Sequence, residues 1–320
     1  MEPVRRAVID VGTNSIKLLV ADVTDSGLLP VREESRQTRL GQGFYQTRRL
    51  QPQTVAASAS AVAEFAATAR KCGAASVRVV ATSAAREALN SQDLIEAIRQ
   101  AAGLPVEILT GEQEADWVFR GVTSDPRLAT QPLVLLDVGG GSTEFVVGQG
   151  QRKDFEKSFP IGTVRLLEEL RPPDPPRRED FANCRRWLRT FLETQVRPAL
   201  PSALARNAEN SSASGQFLLV GTGGTASILA GMESGLDKFD RARIEAVRLS
   251  LDRVRALTEK LWSLSLEQRK QLVGLPQNRA DIIPMGAAIY ESIMEQFSFL
   301  ELRISTRGLR FAALLAEGPS

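Results

Sequence analysis

Two glycine-rich turns, each preceded by an aspartate, are the clearest chemical feature of this sequence. The first turn follows Asp10 and comprises Gly12, Thr13, Asn14 and Ser15. The second turn follows Asp137 and comprises Gly139, Gly140, Gly141, Ser142 and Thr143. Small residues in a turn leave consecutive backbone amides open to phosphate oxygens. The two aspartates offer hard oxygen donors, which predicts a role in holding Mg²⁺ or Mn²⁺.

The two turns belong to an internal repeat. Residues 8–15 (VIDVGTNS) recur as residues 135–142 (LLDVGGGS), with Asp, Val, Gly and Ser in register. A single turn of this kind is typical of a plain hairpin with a capping aspartate. Two copies a domain length apart instead predict two similarly folded domains. If these domains face each other, we expect the two turns to grip both sides of a phosphate chain.

The absence of histidine excludes much familiar chemistry. The chain has no His and two Cys, Cys72 and Cys184. Without imidazole there is no Ser-His-Asp or Cys-His nucleophile pair, no HExxH zinc site and no His-Asp metal phosphohydrolase module. Catalysis must therefore rely on carboxylates, backbone amides, Arg and a hard metal.

Composition also limits location and partners. Two distant cysteines fit neither a thiolate zinc cluster nor a disulfide framework, which is typical of a reducing compartment. The net charge of +2 gives no general attraction for nucleic acid. No apolar run approaches the ~18 residues of a membrane span, and no signal peptide precedes the first strand pattern. We therefore expect a cytoplasmic protein without membrane or nucleic-acid partners.

Short apolar runs alternate with helical periods, which predicts an α/β fold. The predicted strands cover residues 7–11, 16–23, 77–81, 106–109, 133–138, 145–147 and 217–220. The predicted helices cover residues 52–71, 92–102, 112–121, 180–196, 248–263 and 284–297. Stretches 172–180 and 201–216 have the composition of exposed loops. We expect domains at 1–125 and 126–320, with the segment at about 300–320 packing back on the first.

Motifs across almost the whole chain resemble one family. IDVGTNSIKLLV at 9–20 and LLDVGGGSTEFVVG at 135–148 resemble the two phosphate motifs of the exopolyphosphatase and guanosine pentaphosphate phosphohydrolase (Ppx/GppA) family. Six further landmarks occur in the family's order: TRLGQG at 38–43, ATSAAREALN at 81–90, LTGEQEADWVFRGV at 109–122, VGTGGTASILA at 220–230, NRADIIPMGAAI at 278–289 and STRGLR at 305–310. The resemblance implies an actin-like ATPase fold, ribonuclease H-like in topology, with duplicated domains around a central cleft.

The resemblance also implies roles for three side chains. The family's general base corresponds to Glu114, although Gln113 stands where many members carry Glu. Acids in the first turn of a helix also stabilise the helix dipole without catalysis. Glu144, on the strand after the second turn, is the alternative base, since it shares a face with Ser142. Arg86 matches the family's phosphate-binding arginine, with a surface ion pair as its alternative role.

A third glycine motif and several arginines complete the candidate site. Gly221, Thr222, Gly223 and Gly224 fit a dinucleotide pattern formally, but no strand with the expected acid follows. The resemblance places this motif, together with Arg279, on the nucleoside or distal-phosphate side. Arg307 and Arg310 match family positions near the cleft, and ordinary solvated charges remain an equal alternative. Arg185, Arg186 and Arg189 lie on one predicted helix; lining a track for a polyanion is one interpretation, and a solvated face is the simpler account.

The predicted activity is metal-dependent hydrolysis of a terminal phosphoanhydride. Inorganic polyphosphate is the expected substrate, with short chains favoured because the helical domains of longer family members are not expected here. Guanosine pentaphosphate is the alternative substrate. A superfamily kinase and a non-catalytic sensor of guanosine polyphosphates or polyphosphate are further alternatives. The sequence leaves the oligomeric state open, a homodimer included.

Overall fold

The computed structural model describes residues 3–25, 27–200 and 217–316. Internal contacts divide the chain into a first unit, Met1–Ser124 with Arg307–Ser320, and a second unit, Asp125–Thr306. The predicted loop at 201–216 lies outside the described residues. Among those that are described, no helix combines the length and apolar character that a membrane crossing requires.

The first unit is built on a five-stranded sheet. Its strands are β1 Val4–Val11, β2 Ser15–Thr24, β3 Gly27–Gln37, β4 Ser76–Ala81 and β5 Val106–Ile108. Their order is β3-β2-β1-β4-β5, with β1, β2 and β3 antiparallel and β4 and β5 parallel to β1. The helices between them are α1 Phe44–Thr47, α2 Pro52–Lys71, α3 Ser83–Glu87, α4 Ser91–Ala102 and α5 Gly111–Thr123.

The second unit repeats this plan on a six-stranded sheet. Its strands are β6 Pro132–Val138, β7 Thr143–Gln149, β8 Arg152–Phe159, β9 Leu218–Thr222, β10 Arg248–Ser250 and β11 Glu301–Ile304, in the order β10-β11-β9-β6-β7-β8. Its helices are α6 Thr163–Leu170, α7 Arg178–Phe191, α8 Gly223–Glu233, α9 Arg241–Ala246, α10 Leu251–Ser263, α11 Leu266–Arg269 and α12 Ile283–Gln296. A last helix, α13 Leu309–Leu315, belongs to the first unit, where it packs on β1, β2 and α5.

Both units share one topology. Three antiparallel strands (β1–β3 or β6–β8) are followed by strands added in parallel after helical crossovers (β4 and β5, or β9 and β11). This is the duplicated ribonuclease H-like arrangement of actin-like ATPases. The predicted α/β fold class is confirmed.

Each unit has its own apolar core. In the first, the alternating side chains of β1 and β2 bury Ile9 and Leu18 against Phe65 of the alanine-rich α2. In the second, the sheet packs on α12, which is buried along residues 283–294, with Tyr290 fully enclosed. Apolar burial of this extent holds each glycine turn on a rigid support.

Several predicted element boundaries were wrong. Residues 248–250 are not the start of a helix, because Arg248–Ser250 form β10, which pairs antiparallel with β11. The helix starts at Leu251 because the Ser250 side chain accepts a hydrogen bond from the Arg253 amide. Strands β3 and β8 were not predicted, since both are edge strands whose charged residues hide the apolar pattern. Residues 178–180, predicted as loop, begin α7.

Candidate phosphate-binding and catalytic site

The two glycine turns close their hairpins with the same backbone hydrogen bond. The Gly12 amide donates to the Ser15 carbonyl at 3.1 Å, and the Gly139 amide donates to the Ser142 carbonyl at 2.9 Å. A Cβ added to Gly12 would lie 3.0 Å from that Ser15 oxygen, and one added to Gly139 would lie 3.1 Å from that of Ser142. The repeat seen in the sequence is therefore a repeat of backbone geometry.

Two of the recognised motifs support the first turn. The Gly41 amide donates to the Thr13 carbonyl at 2.7 Å, and a Cβ on Gly41 would come within 2.3 Å of the Thr13 methyl group. The Ala84 amide, at the start of α3, donates to Thr13 Oγ1 at 3.3 Å. Asn14 is buried and its Oδ1 accepts from Gln37 at 3.2 Å. Residues 38–43 and 81–90 thus surround this turn within the first unit.

The second turn is supported by the start of α6, which the sequence reasoning missed. The amides of Thr163 and Val164 donate to the carbonyls of Gly139 and Gly140 at 2.9 and 2.8 Å. Arg165 Nε donates to the Gly141 carbonyl at 2.7 Å. In a trans peptide the N–H points away from the C=O, so the amides of residues 140–142 face away from α6. The turn therefore presents three amide hydrogens on one side, as an oxyanion nest requires.

Gly162 explains why α6 can approach so closely. A Cβ on Gly162 would lie 2.6 Å from the carbonyl carbon and oxygen of Gly140. Only glycine fits between the turn and the helix that binds its carbonyls. The signal available in the sequence was the Pro160-Ile161-Gly162-Thr163 segment that follows the third strand of the repeat.

The strand aspartates have different cross-strand partners. Asp10 is paired with Lys17 across β1 and β2, whereas Asp137 is paired with Glu144 across β6 and β7. Burial raises the pKa of Asp10, and the positive charges of Lys17 and Arg310 oppose that rise. Glu144 is only 1% exposed and accepts a hydrogen bond from Ser158 Oγ at 2.7 Å.

The third glycine motif packs directly on the second aspartate. Gly223 has a left-handed φ of +81°, and a Cβ there would lie 2.1 Å from Asp137 Oδ1. Thr225 Oγ1 donates to the Val138 carbonyl at 3.2 Å. The Tyr290 hydroxyl donates to the Leu136 and Thr222 carbonyls at 3.3 Å each. Residues 221–225 thus belong to the same constellation as Asp137 within the second unit.

The candidate base and the candidate phosphate-binding arginine contact each other. Arg86 Nη1 donates to Glu114 Oε2 at 2.8 Å and to the Leu109 carbonyl at 2.9 Å. Glu114 is only 8% exposed. The ion pair considered as an alternative for Arg86 is therefore present, and its partner is the predicted base. Guanidinium donors that match a carboxylate also match the oxygens of a phosphate.

The helix that carries Glu114 is fixed by its own sequence. Thr110 and Gln113 form a reciprocal capping box, with the Gln113 amide donating to Thr110 Oγ1 at 3.1 Å and the Thr110 amide donating to Gln113 Oε1 at 2.8 Å. Gln113, the departure from the family pattern, thus caps the helix. The cap sets the direction in which Glu114 leaves the first turn.

Three more family-matched arginines have separate surroundings. Arg307 Nη1 donates to the Ser124 carbonyl at 3.0 Å, and Arg310 Nη1 donates to the Leu18 carbonyl at 2.9 Å. Arg310 also contacts Glu33 at 3.4 Å. Arg279 ends a short 3-10 helix, Gln277–Arg279, in the second unit. Arg307 and Arg310 thus both donate to backbone carbonyls of the first unit.

Oxygen donors near the second turn fit a hard cation. Across residues 3–25, 27–200 and 217–316, no three acidic or cysteine side chains cluster as a ready-made metal site. Mg²⁺, however, usually takes one or two protein carboxylates and completes its shell with water and substrate phosphates. The cross-strand pair of Asp137 and Glu144 matches that requirement in the second unit.

Fold and site together define a class: an enzyme of phosphate transfer built from two actin-like units, each carrying a glycine turn behind a strand aspartate. Residues 19–318 match the Ppx/GppA phosphatase family, and the chain belongs to that family. The predicted family and the prediction of a hydrolase acting on phosphoanhydride bonds are confirmed.

Individual relatives agree with this assignment. The chain is 35% identical to exopolyphosphatase 2 of Mycobacterium tuberculosis over 302 residues, which cover 91% of this chain and 90% of that protein. It is 29% identical to exopolyphosphatase 1 of Mycobacterium bovis, covering 98% and 88%. The crystal structure of an exopolyphosphatase from Cytophaga hutchinsonii superposes with a TM-score of 0.83 at 25% identity, covering 97% of this chain and 96% of that one.

Proposed function

We propose that this protein releases terminal orthophosphate from inorganic polyphosphate, with water as the acceptor. The observation that carries the proposal is the duplicated glycine turn, closed by the same hydrogen bond in both units and preceded each time by an aspartate. The relatives named exopolyphosphatase support this substrate class. Backbone amides at such turns stabilise the charge that develops on the transferred phosphoryl oxygens.

Water activation is assigned to Glu114. The oxygen of water attacks the terminal phosphorus, the bridging P–O bond breaks towards the shortened chain, and the water proton passes to Glu114. The ion pair with Arg86 implies an exchange before this step, because a carboxylate bound to a guanidinium is a poor base. Arg86 transfers its hydrogen bonds to the terminal phosphate, and Glu114 is released to face the water.

The cation is assigned chiefly to the second turn. Asp137 and Glu144 would hold Mg²⁺ or Mn²⁺ in the second unit, and Asp10 is the equivalent carboxylate of the first turn. When bound, the metal supplies charge neutralisation of the phosphate oxygens. The protein's own part is to hold these carboxylates in fixed positions, and the close approach of Gly223 to Asp137 supports that role.

A preference for short chains belongs to the proposal. In the first unit, Arg307 and Arg310 donate hydrogen bonds to protein acceptors and Arg86 is assigned to the terminal phosphate, so these three cations are not available to distant phosphates. Extra contacts to remote units would raise binding without accelerating terminal cleavage. We therefore expect kcat/KM for short polyphosphates to be at least comparable to that for chains of hundreds of units.

Phosphate release tests the activity directly. The wild type is assayed with polyphosphate, with guanosine pentaphosphate, and with ATP in the presence and absence of acetate or glucose. The proposal expects acceptor-independent release from polyphosphate, and release that required an acceptor would instead identify a kinase. Glu114→Gln should lose turnover while Glu112→Gln, an exposed acid on the same helix turn, should keep it. Tight polyphosphate binding without turnover in the wild type would identify a sensor.

Guanosine pentaphosphate is the second candidate substrate, and one cavity favours it. A cavity of about 440 Å³ in the second unit is lined by Ile228 of α8, by Phe239 and by Val273. Phe239 is 59% exposed, with the Arg241 guanidinium 5.8 Å from its ring centroid, and an exposed aromatic ring of this kind can stack on a base. Phe239→Ala should lower kcat/KM for guanosine pentaphosphate and leave polyphosphate unchanged, with the exposed Leu300→Ala as control. Equal effects on both substrates would remove this candidate.

A cytoplasmic location and a homodimeric state complete the proposal. Both cysteines are free, which suits a reducing compartment. Fractionation of cells and sedimentation of the purified protein test the two statements separately.

A further inference from the structure

A polar cavity of about 410 Å³ lies in the second unit, away from its glycine turn. Residues of α7, of the π-helical turn Leu192–Val196 and of the C-terminal end of α12 line it. Ser298, at its rim, shortly precedes the first residue of β11, which runs parallel to β9. Gly223 and the turn after β6 lie at the opposite ends of these parallel strands. The cavity and the phosphate turn therefore lie at opposite ends of the parallel strands of one sheet.

Three arginines line this cavity: Arg185, Arg189 and Arg197. Two of them are held in place by aromatic rings. The Arg185 guanidinium lies 4.4 Å from the ring centroid of Phe181, and that of Arg197 lies 5.3 Å from Phe297. Arg197 Nη2 also donates to the backbone and side-chain oxygens of Gln296, at 2.9 and 3.1 Å. These guanidinium groups are thus oriented before any ligand arrives.

The acids around the cavity leave this positive charge only partly compensated. Glu295 is bound by Arg255 at 2.8 Å, and Glu193 accepts from the Gln296 amide at 3.4 Å. Arg185 forms an ion pair with the fully buried Glu291 through one nitrogen, while its buried Nε has no partner among the described residues. Arg189 is exposed at the rim. A buried N–H without an acceptor carries a desolvation cost, and it leaves the Arg185 guanidinium with donor capacity that Glu291 does not use.

We propose that this cavity is a second binding site for a phosphate-bearing anion, separate from the glycine turns. The oxyanion is bound by the forked donors of Arg185 and Arg189 and by Arg197. Guanidinium groups match the geometry of phosphate oxygens, and three of them around one cavity suit a multiply charged anion. Orthophosphate, the product of the reaction, and a short phosphate chain share this chemistry. The proposal does not depend on which substrate the enzyme hydrolyses.

Arg186 provides a matched control for a merely solvated arginine face. It is exposed, it lies on the same helix between Arg185 and Arg189, and it does not line the cavity. A general charge effect on anion binding would be the same for Arg186→Gln and Arg189→Gln. A specific anion site in this cavity would lose affinity in Arg189→Gln and keep it in Arg186→Gln.

The test follows the Arg185 Nε–Hε resonance by NMR during titration, in EDTA so that no turnover is expected. The resonance is assigned by its loss in Arg185→Lys. Inorganic phosphate should shift it saturably in the wild type and in Arg186→Gln. In Arg189→Gln the apparent Kd should rise about fivefold or more, as expected for the loss of one charge-assisted hydrogen bond.

Other probes define the ligand. Tripolyphosphate is titrated in the same way. Tighter binding of tripolyphosphate than of orthophosphate would identify a phosphate chain as the ligand, whereas equal binding of the two would identify orthophosphate. Acetate is the control for carboxylates, and a shift by acetate equal to that by phosphate would overturn the assignment to phosphate. A resonance that does not move with either phosphate probe, or Arg186→Gln and Arg189→Gln titrations that coincide, would overturn the site.

Discussion

The two glycine turns have the same backbone hydrogen bond, but the residues opposite their aspartates carry charges of opposite sign. Both begin with an aspartate on the incoming strand and close with an amide-to-serine hydrogen bond. Across from the aspartate, however, the first turn has Lys17 and the second has Glu144. The third strand of each unit has a serine at the equivalent position: Ser35 on β3 pairs with Lys17, and Ser158 on β8 pairs with Glu144. Duplication has kept the scaffold and reversed one charge.

This difference in charge indicates that the two turns have different roles. Burial raises the pKa of Asp10, and the positive charges of Lys17 and Arg310 oppose that rise. The first turn therefore offers backbone amides beside a carboxylate whose negative charge is balanced by nearby cations. The second turn places two carboxylates side by side, which repel each other unless a cation lies between them. The divergence extends to the next loop: where the first unit has Arg86 at the start of its helix, the second has Ala226. We propose that both turns contribute backbone amides to the phosphate, that Arg86 and Glu114 of the first unit act on the phosphoryl group and the water, and that the second turn contributes most of the metal ligands.

Metal removal should have the largest effect. Chelation with EDTA is expected to abolish phosphate release, and Mg²⁺ or Mn²⁺ should restore it, because the donors near the second turn are hard oxygens. Steady-state release measured before and after dialysis, and after re-addition of each ion, checks this. Full activity in EDTA would contradict the assignment of a cation to the second turn.

Glu114→Gln should lower kcat by about 10² to 10⁴ with little change in KM, since general-base assistance is worth roughly that factor. The paired measurement is Arg86→Gln, which should raise KM as well, because it removes a phosphate contact. Steady-state kinetics on a short polyphosphate reports both values. A greater loss of kcat in Glu144→Gln would transfer the base role to the second unit and reverse the comparison.

Removing the charge at each of the two equivalent positions is the sharpest test of the difference between the turns. Glu144→Gln should raise the Mg²⁺ concentration for half-maximal activity about 100-fold, as the loss of a charged ligand costs a few kcal/mol. Lys17→Gln should leave this concentration within about threefold, since it adds no ligand. Activity measured against Mg²⁺ concentration separates the two. Equal shifts would mean that the turns share the metal.

The smallest expected effect concerns pH and a buried acid of the second unit. Burial raises the pKa of Glu291 from 4.5 to about 7. The ion pair with Arg185 lowers this pKa, but by less than burial raises it. Glu295 on the same helix and Glu259 on α10 raise it further, and the Cys184 thiol on α7 lies close by. Because the folded state binds this proton more tightly than the unfolded state, the free energy of unfolding should fall as pH rises from 5 to 7. The slope is about 1 kcal/mol per pH unit.

Urea unfolding of the wild type and of Glu291→Gln at pH 5, 6, 7 and 8 measures this dependence. The variant should lack this part of the slope, and Asp252→Asn, an exposed acid on α10, should retain it. Parallel curves for the wild type and Glu291→Gln would contradict the raised pKa.

Much of the site could be predicted from local sequence, because hairpins are local structures. The strands on both sides of each turn were predicted to within a few residues, and the repeat fixed which residues occupy equivalent positions. The reversal from Lys17 to Glu144 was also visible in the aligned repeats. Its meaning required the strand register, which places each of them opposite an aspartate.

Contacts between distant segments could not be predicted in the same way. Arg86 and Glu114 were each identified, but their ion pair joins α3 to α5 and depends on how the two crossovers pack. The support of the second turn by α6 depends on Gly162, because the absence of a Cβ there lets the helix approach the turn. A single glycine in the sequence gives no sign of this contact. Edge strands β3 and β10 escaped detection because solvent, not the core, sets their composition.

The unequal division of the chain between the two units bears on how the protein is made. The second unit is one continuous segment, whereas the first includes α13, which follows that segment. During synthesis the strands and helices of the first unit up to α5 emerge long before α13, which packs on its central strands β1 and β2. Until α13 leaves the ribosome, apolar side chains of the first sheet remain uncovered. The first unit is therefore the part of the nascent chain that we expect chaperones to protect.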